Sequence, residues 1–150
     1  LWPEDLDYSE MNVLVIGSGA TAATIVPAMA GKCRHITMLQ RSPTYFLPNP
    51  NSNELADLLA PLNIPAEWTH EIVRRKILHD QEELVRRSVE EPEAVKAELL
   101  AAAREFLGEE FDIDKHFTPA YRPWQKRIGV IPDGDLFLVI GQGLASVLTD

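Results

Sequence analysis

The 150-residue sequence predicts an α/β domain built on a parallel sheet. Three observations carry this. An apolar run, Asn12-Val13-Leu14-Val15-Ile16, stops at a glycine. A second run, His35-Ile36-Thr37-Met38-Leu39, follows some twenty residues later. Between them lies a segment of small and apolar residues, of helical length and closed by Gly31. Strand, helix, strand is the repeating unit of a parallel sheet.

The first junction reads Gly17-Ser18-Gly19-Ala20-Thr21-Ala22, a G-x-G-x-x-G/A turn between strand 12–16 and a helix over about 20–30. Gly17 permits the tight turn. Gly19 lets the backbone approach a pyrophosphate that a Cβ would hold away. Ala22 lets helix and strand pack closely. The free N–H groups of the first helical turn, at the positive end of the helix dipole, face the phosphates. The alternative is an ordinary glycine turn of an α/β domain. The strand before the turn and the strand after the helix favour a Rossmann-type dinucleotide site. Pro27 lies inside the helix, leaves the Ala23 carbonyl without its partner and predicts a bend.

The second strand, 35–39, ends at Gln40-Arg41-Ser42-Pro43. An NAD site of this type carries an acidic residue about 20 residues beyond the turn, on the ribose 2′-hydroxyl. Here Arg41 stands in that region. A guanidinium suits a 2′-phosphate and has no reason to prefer a bare hydroxyl, so NADP is expected. Ser42 can donate to the same phosphate. The bland alternative for Arg41 is a solvated charge at a strand end.

After the second strand the alternation stops. Residues 43–51 are rich in Pro and Asn and predict a loop. A short helix over 53–60 should end at Pro61. A long helical pattern covers 65–90, with Trp68, Ile72, Val73, Ile77, Leu78, Leu84 and Val85 among charged residues. A further helix begins near Pro92, which suits a first turn, and ends at Gly108. Val95, Leu99, Ala103 and Phe106 form its stripe, with Leu100 and Leu107 alongside, close to the spacing of a buried face. Residues 52–110 are thus expected to be a helical insertion, its charges a solvated face, within a Rossmann-type domain formed by 1–51 and 111–150. Residues 1–11 read as a connector.

Residues 111–127 mix aromatic, proline and basic residues without periodicity and predict a packed loop, a kind of segment that often carries function. Gly129-Val130-Ile131 suits a short strand and Pro132-Asp133-Gly134 a turn. Asp135 can cap a helix running to about Gln142 and closed by Gly143. Leu136 to Ile140 is equally good strand sequence. Residues 145–149 read as a final strand.

The chain is 45% hydrophobic, enough for a core, and its net charge of −9 argues against nonspecific nucleic-acid binding. No apolar run reaches membrane-spanning length and no signal-peptide pattern is present. The single cysteine, Cys33, cannot form an internal disulfide. It suits a reducing, cytoplasmic compartment and reads as a buried structural thiol. The sequence opens Leu1-Trp2-Pro3 without Met and is expected to be part of a longer protein. His70-Glu71 starts like a zinc helix, but Arg74 occupies the second histidine position. His35, His70, His79 and His116 form no ligand-spaced set, so no metal is expected. There is no P-loop, no G-x-S-x-G elbow and no C-x-x-C.

Four stretches together resemble the NADP domain of class B flavoprotein monooxygenases, the Baeyer–Villiger and related flavin-containing enzymes. They are Trp2-Pro3-Glu4-Asp5-Leu6, Val15-Ile16 with the glycine turn, Leu39-Gln40-Arg41-Ser42-Pro43, and Tyr121-Arg122-Pro123-Trp124-Gln125-Lys126-Arg127. The resemblance spans nearly the whole chain and is weakest in the helical insertion. Trp2 stands where the last tryptophan of the F-x-G-x-x-x-H-x-x-x-W fingerprint belongs. The rest of that fingerprint and the family's first, FAD-binding glycine turn are missing. By this reading the chain alone should neither hold FAD nor catalyse oxygenation.

The resemblance implies that Arg41 binds the 2′-phosphate and Lys126 assists it. It implies that Arg127 matches an arginine reaching the flavin during oxygen transfer. It also implies NADPH as reductant, FAD held by the remaining FAD domain of the parent chain, O₂ as co-substrate and a small ketone as substrate, converted to an ester or lactone. An N- or S-oxygenating flavin monooxygenase acting on a heteroatom, or another pyridine-nucleotide flavoprotein reductase, stays open. So does a noncatalytic NADP-binding module.

Overall fold

A computed structural model describes residue 3 and residues 5–150; Trp2, a carrier of the resemblance above, lies outside the described residues. Strand β1 (Asn12–Ile16) leads through the glycine turn into helix α1 (Ala20–Met29), which continues through Pro27, and then into strand β2 (His35–Gln40). The two strands pair in parallel, with Ile16 opposite Leu39. Strand β5 (Ala145–Thr149) pairs in parallel with the other edge of β2, giving the order β1-β2-β5.

Period two along these strands sends Ile36, Met38, Ala145 and Val147 to one face, where they are buried under Ala22, Ala23 and Val26 of α1. Ala22 is 5% exposed, so the third position of the turn packs helix against sheet as its small size requires. The opposite face carries Leu14, Ile16 and Leu148, all exposed. Cys33 is buried beside α1, its thiol donating to the Met29 carbonyl at 3.4 Å, in keeping with a structural role.

A second sheet corrects the loop expected over residues 43–51. Strand β3 (Phe46–Asn49) pairs in parallel with strand β4 (Gly129–Pro132). Pro43, Pro48 and Pro50 signal a loop locally. The burial of Phe46 overrides that signal, and Pro48 is tolerated because the sheet has only two strands. Between β3 and β4 run helix α2 (Glu54–Leu59), a 3₁₀ turn (Ala60–Leu62), helix α3 (Ala66–Glu90) and helix α4 (Pro92–Leu107). Asn53 caps α2, accepting the Ala56 N–H at 3.0 Å. Pro61 falls inside the 3₁₀ turn, and the left-handed Asn63 (φ 53°) ends the segment. Helix α4 buries most of its expected stripe: Val95, Leu99 and Ala103 are buried and Phe106 is partly buried. Much of the apolar side of α3, Trp68, Ile72, Ile77 and Leu78, stays exposed. Its charges pair along the helix, Glu71 with Arg75 at 2.8 Å and Lys76 with Asp80 at 2.5 Å. Such exposed pairs contribute little to stability.

Residues 111–127, expected as loop, contain helix α5 (Ile113–Phe117). Asp112 caps it by accepting the Lys115 N–H at 3.0 Å, and Ile113 and Phe117, four apart, are both buried. The strand alternative over residues 136–140 gives way to helix α6 (Asp135–Gly141). Its cap is Gly134, in the left-handed conformation, rather than Asp135. At its far end the Gly143 N–H donates to Ile140 and the Leu144 N–H to Val139. This is a Schellman closure built on Gly143 at φ 74°.

Phe46, Phe117 and Phe137 meet edge to face, Phe117 and Phe137 with centroids 5.1 Å apart, and join α5, α6 and β3 in the main core. A smaller core of Tyr45, Val95, Leu99 and Ile128 holds α4 against the segment preceding β4.

Candidate functional site

The parallel pairing of β1 and β2 puts the glycine turn and Arg41 at the same, C-terminal edge of the sheet, where open α/β sheets bind ligands. Gly17 has φ +115°, a conformation that a side chain rarely adopts, and its N–H is tied to the Leu39 carbonyl at 2.7 Å. The turn is thereby fastened to the strand that delivers Arg41. A Cβ on Gly17 or Gly19 would meet nothing within 4 Å, so the space over the turn is open. Gly19 caps α1 and has no side chain to accept the first-turn N–H groups, and no acidic residue lies in that turn. Ala20, Thr21 and Ala22 begin the helix. An anion has donors, a favourable dipole and room here. The residues therefore fit a pyrophosphate.

Arg41 and Ser42 are exposed and adjacent, immediately beyond β2. Among the described residues Arg41 has no ion-pair partner, leaving its guanidinium available to an outside anion. The residues flanking this tip are pinned. Gln40, 1% exposed, donates through Nε2 to the His116 carbonyl at 2.6 Å and to Thr149 Oγ1 at 3.0 Å. On the other side the Tyr121 hydroxyl donates to the Pro43 carbonyl at 3.3 Å, and the Tyr45 hydroxyl to the Tyr121 carbonyl at 3.0 Å.

Lys126 reaches the same region through Tyr121, its ammonium 4.6 Å from the ring centroid. Tyr121 therefore links Lys126 to the backbone beside Ser42. The chain reaches Lys126 through a turn led by Pro123, with the Gln125 N–H donating to the Arg122 carbonyl at 3.2 Å. Trp124 takes φ 60° there, a strained value for a bulky residue, and packs on the smaller core. Arg127 is exposed, and among the described residues no hydrogen bond or ion pair connects it to the glycine turn or Arg41.

Burial of the phenol pushes the Tyr121 pKa up, partly opposed by the nearby Thr44 hydroxyl. Burial and Lys115 lower the His116 pKa, with Asp112 opposing. Thr44 does not stand out by motif, and Gln40 enters the resemblance only as a neighbour of Arg41. Gln40 had one legible signal: it shares the period-two face of Ile36 and Met38, so a buried polar side chain was foreseeable. Among the described residues no group of His, Cys, Asp and Glu could hold a metal ion, and no helix is long and apolar enough to cross a membrane.

No family model matches the sequence. The chain is 44% identical over 153 residues to MymA of Mycobacterium tuberculosis. It is 41% identical over 150 residues to EthA of the same species, an FAD-containing monooxygenase. Each match covers 99% of this chain and 30% of the relative, so the chain spans about 30% of the length of the curated relatives it matches. Among solved structures it resembles a steroid monooxygenase bound to NADP, with a TM-score of 0.64 and 17% identity over 99% of this chain and 35% of that one. It also resembles OTEMO in complex with FAD and NADP, with a TM-score of 0.65 and 17% identity over 98% of this chain and 34% of that one. At that identity the likeness shows the fold. Over the 30% of its relatives' length that it spans, this chain is similar to FAD-containing monooxygenases.

Proposed function

We propose that this chain is the NADPH-binding, Rossmann-type part of an FAD-dependent monooxygenase that inserts oxygen from O₂ into ketones. The observation that carries the reading is the shared sheet edge. The open turn Gly17–Ala22 and Arg41, which has no ion-pair partner among the described residues, follow the ends of paired strands tied by the bond from Gly17 to Leu39. Gly17, Ser18, Gly19, Ala20, Thr21 and Ala22 hold the pyrophosphate. Arg41 and Ser42 take the 2′-phosphate, with Lys126 adding charge beside them. When bound, NADPH would supply a hydride and FAD, held elsewhere in the intact protein, would supply the oxygen-activating chemistry. Arg127 would place positive charge where an anion develops during oxygen transfer. Residues 52–110 are a helical insertion whose last helix, α4, shares the main core through Ala103 and Phe106.

The test is a titration of the intact protein with NADPH and NADH, followed by product analysis with a cyclic ketone. Tighter binding of NADPH, and a product heavier by one oxygen that hydrolyses to a hydroxy acid, are expected. Equal affinity for the two nucleotides overturns the NADP assignment. Oxygenation of an amine or sulfide with no ester from any ketone overturns the ketone reading.

A further inference from the structure

Thr44 lies three residues beyond Arg41 and has no role in the reading above, on which the following rests. Its Oγ1 is 3.1 Å from Ser18 Oγ, across a sequence separation of 26 residues. Ser18 sits between the two glycines whose open side faces no protein atom. The contact therefore brings a side chain of the 41–45 segment to the glycine turn itself.

Two hydroxyls in one mutual bond spend one of their two O–H groups, because each hydroxyl has a single donor and two lone pairs. The Thr44 hydroxyl also lies near the Tyr121 phenol, whereas among the described residues Ser18 makes no other side-chain hydrogen bond, so with Thr44 donating to Ser18 Oγ the Ser18 O–H is available to an acceptor outside the pair. The pair also joins the glycine turn to the segment that follows Arg41. Tyr121, which donates to the Pro43 carbonyl, stands beside Thr44 and carries Lys126 over its ring. A path of side chains thus runs from Lys126 through Tyr121 and Thr44 to Ser18.

We propose that Thr44 is a dinucleotide-binding residue which, paired with Ser18, presents a hydroxyl donor to the pyrophosphate and holds the 41–44 segment against the turn. Pyrophosphate is common to NADPH and NADH, whereas the 2′-phosphate belongs to NADPH alone. Loss of the Thr44 hydroxyl must therefore weaken both nucleotides, unlike loss of the Arg41 guanidinium.

The experiment titrates the intact protein with NADPH and with NADH, following nucleotide fluorescence. Thr44→Val keeps the shape and removes the hydroxyl; it should weaken both nucleotides by at least about tenfold, as for a lost hydrogen bond to a charged group. Thr44→Ser restores the hydroxyl and should return both to within roughly twofold of wild type. Ser18→Ala probes the pair from its other side, also serves if Thr44→Val fails to fold, and should weaken both nucleotides. Combined with Thr44→Val it should cost less than the two separate losses together. Unchanged binding in Thr44→Val overturns the proposal, as does a Thr44→Ser protein as weak as Thr44→Val. If Thr44→Val has been lost to misfolding, unchanged binding in Ser18→Ala overturns it instead. Arg41→Ala in the same series separates the two readings. A selective loss of NADPH there keeps the NADP assignment whatever Thr44 does, and no loss there refutes that assignment.

Discussion

The side-chain amide of Gln40 donates to the main-chain carbonyl of His116 at 2.6 Å, tying the last residue of β2 to the short helix α5. The same nitrogen reaches Thr149 at the end of β5, while Gln40 Oε1 is buried without a partner among the described residues. The residue immediately before Arg41 is thereby fixed from two elements at once. Gln40→Leu removes both bonds and the orphaned oxygen together, and should cost about 1–3 kcal/mol of stability. Gln40→Glu sets an acceptor against the His116 carbonyl and buries a carboxyl group. Its urea midpoint should fall below that of Gln40→Leu at neutral pH. The reverse order would show that this amide is not the tie.

Arg41 makes no ion pair among the described residues, so its removal should disturb nothing in the fold. Arg41→Ala should weaken NADPH by about 10- to 150-fold, from roughly 1.5–3 kcal/mol for a charged hydrogen bond, and leave NADH nearly unchanged. Titration of both nucleotides reads this directly, and equal losses would remove Arg41 from the 2′-phosphate site.

Arg127 is exposed and has no partner among the described residues, so its proposed role can be tested without a folding penalty. In the intact protein Arg127→Ala should still consume NADPH and O₂ while ester formation falls by about 100-fold or more, the scale of losing one stabilising donor. Parallel oxygen-electrode and product assays check it. An ester yield matching wild type would rule the role out.

His116 Nδ1 lies 2.7 Å from Thr149 Oγ1. Thr149 accepts from Gln40, which leaves its O–H to donate to a neutral imidazole. Burial, then Lys115, lowers the folded-state pKa below the ordinary value of 6.5, with Asp112 opposing. The unfolded chain therefore takes up the proton first. This contribution to stability is complete above the unfolded pKa and is lost as pH falls through the folded one. Urea midpoints should drop between about pH 8 and about pH 5.5, and His116→Gln should flatten that part of the dependence. An identical slope in both proteins would contradict the assignment.

Gly129 opens β4 directly against Phe46, where an added Cβ would lie 2.5 Å from the ring. Phe46 is held edge to face by Phe117 and Phe137 and cannot yield freely. Gly129→Ala should cost about 1–3 kcal/mol, the usual range for overpacking, and lower the midpoint of thermal unfolding. A midpoint equal to wild type would mean that the aromatic cluster is loose.

What the sequence alone determined was set by short-range chemistry. The turn from Gly17 to Ala22 follows from the demand of a tight strand-to-helix bend for glycine and small residues. The proposed preference for NADP rests on one side chain, Arg41, at a known distance from that turn. The buried stripe of α4 follows from helical periodicity within the segment itself. The tertiary structure decided what depends on distant partners. Strand β3 exists because Phe46 has a core to enter and β4, some eighty residues away, to pair with; its prolines argue locally for a loop. Helix α5 is held by the burial of Ile113 and Phe117, which no repeat announces. The meeting of Ser18 with Thr44, and of Gln40 with His116, is likewise invisible along the chain. Each joins residues whose separation in sequence carries no period, and only packing fixes their approach.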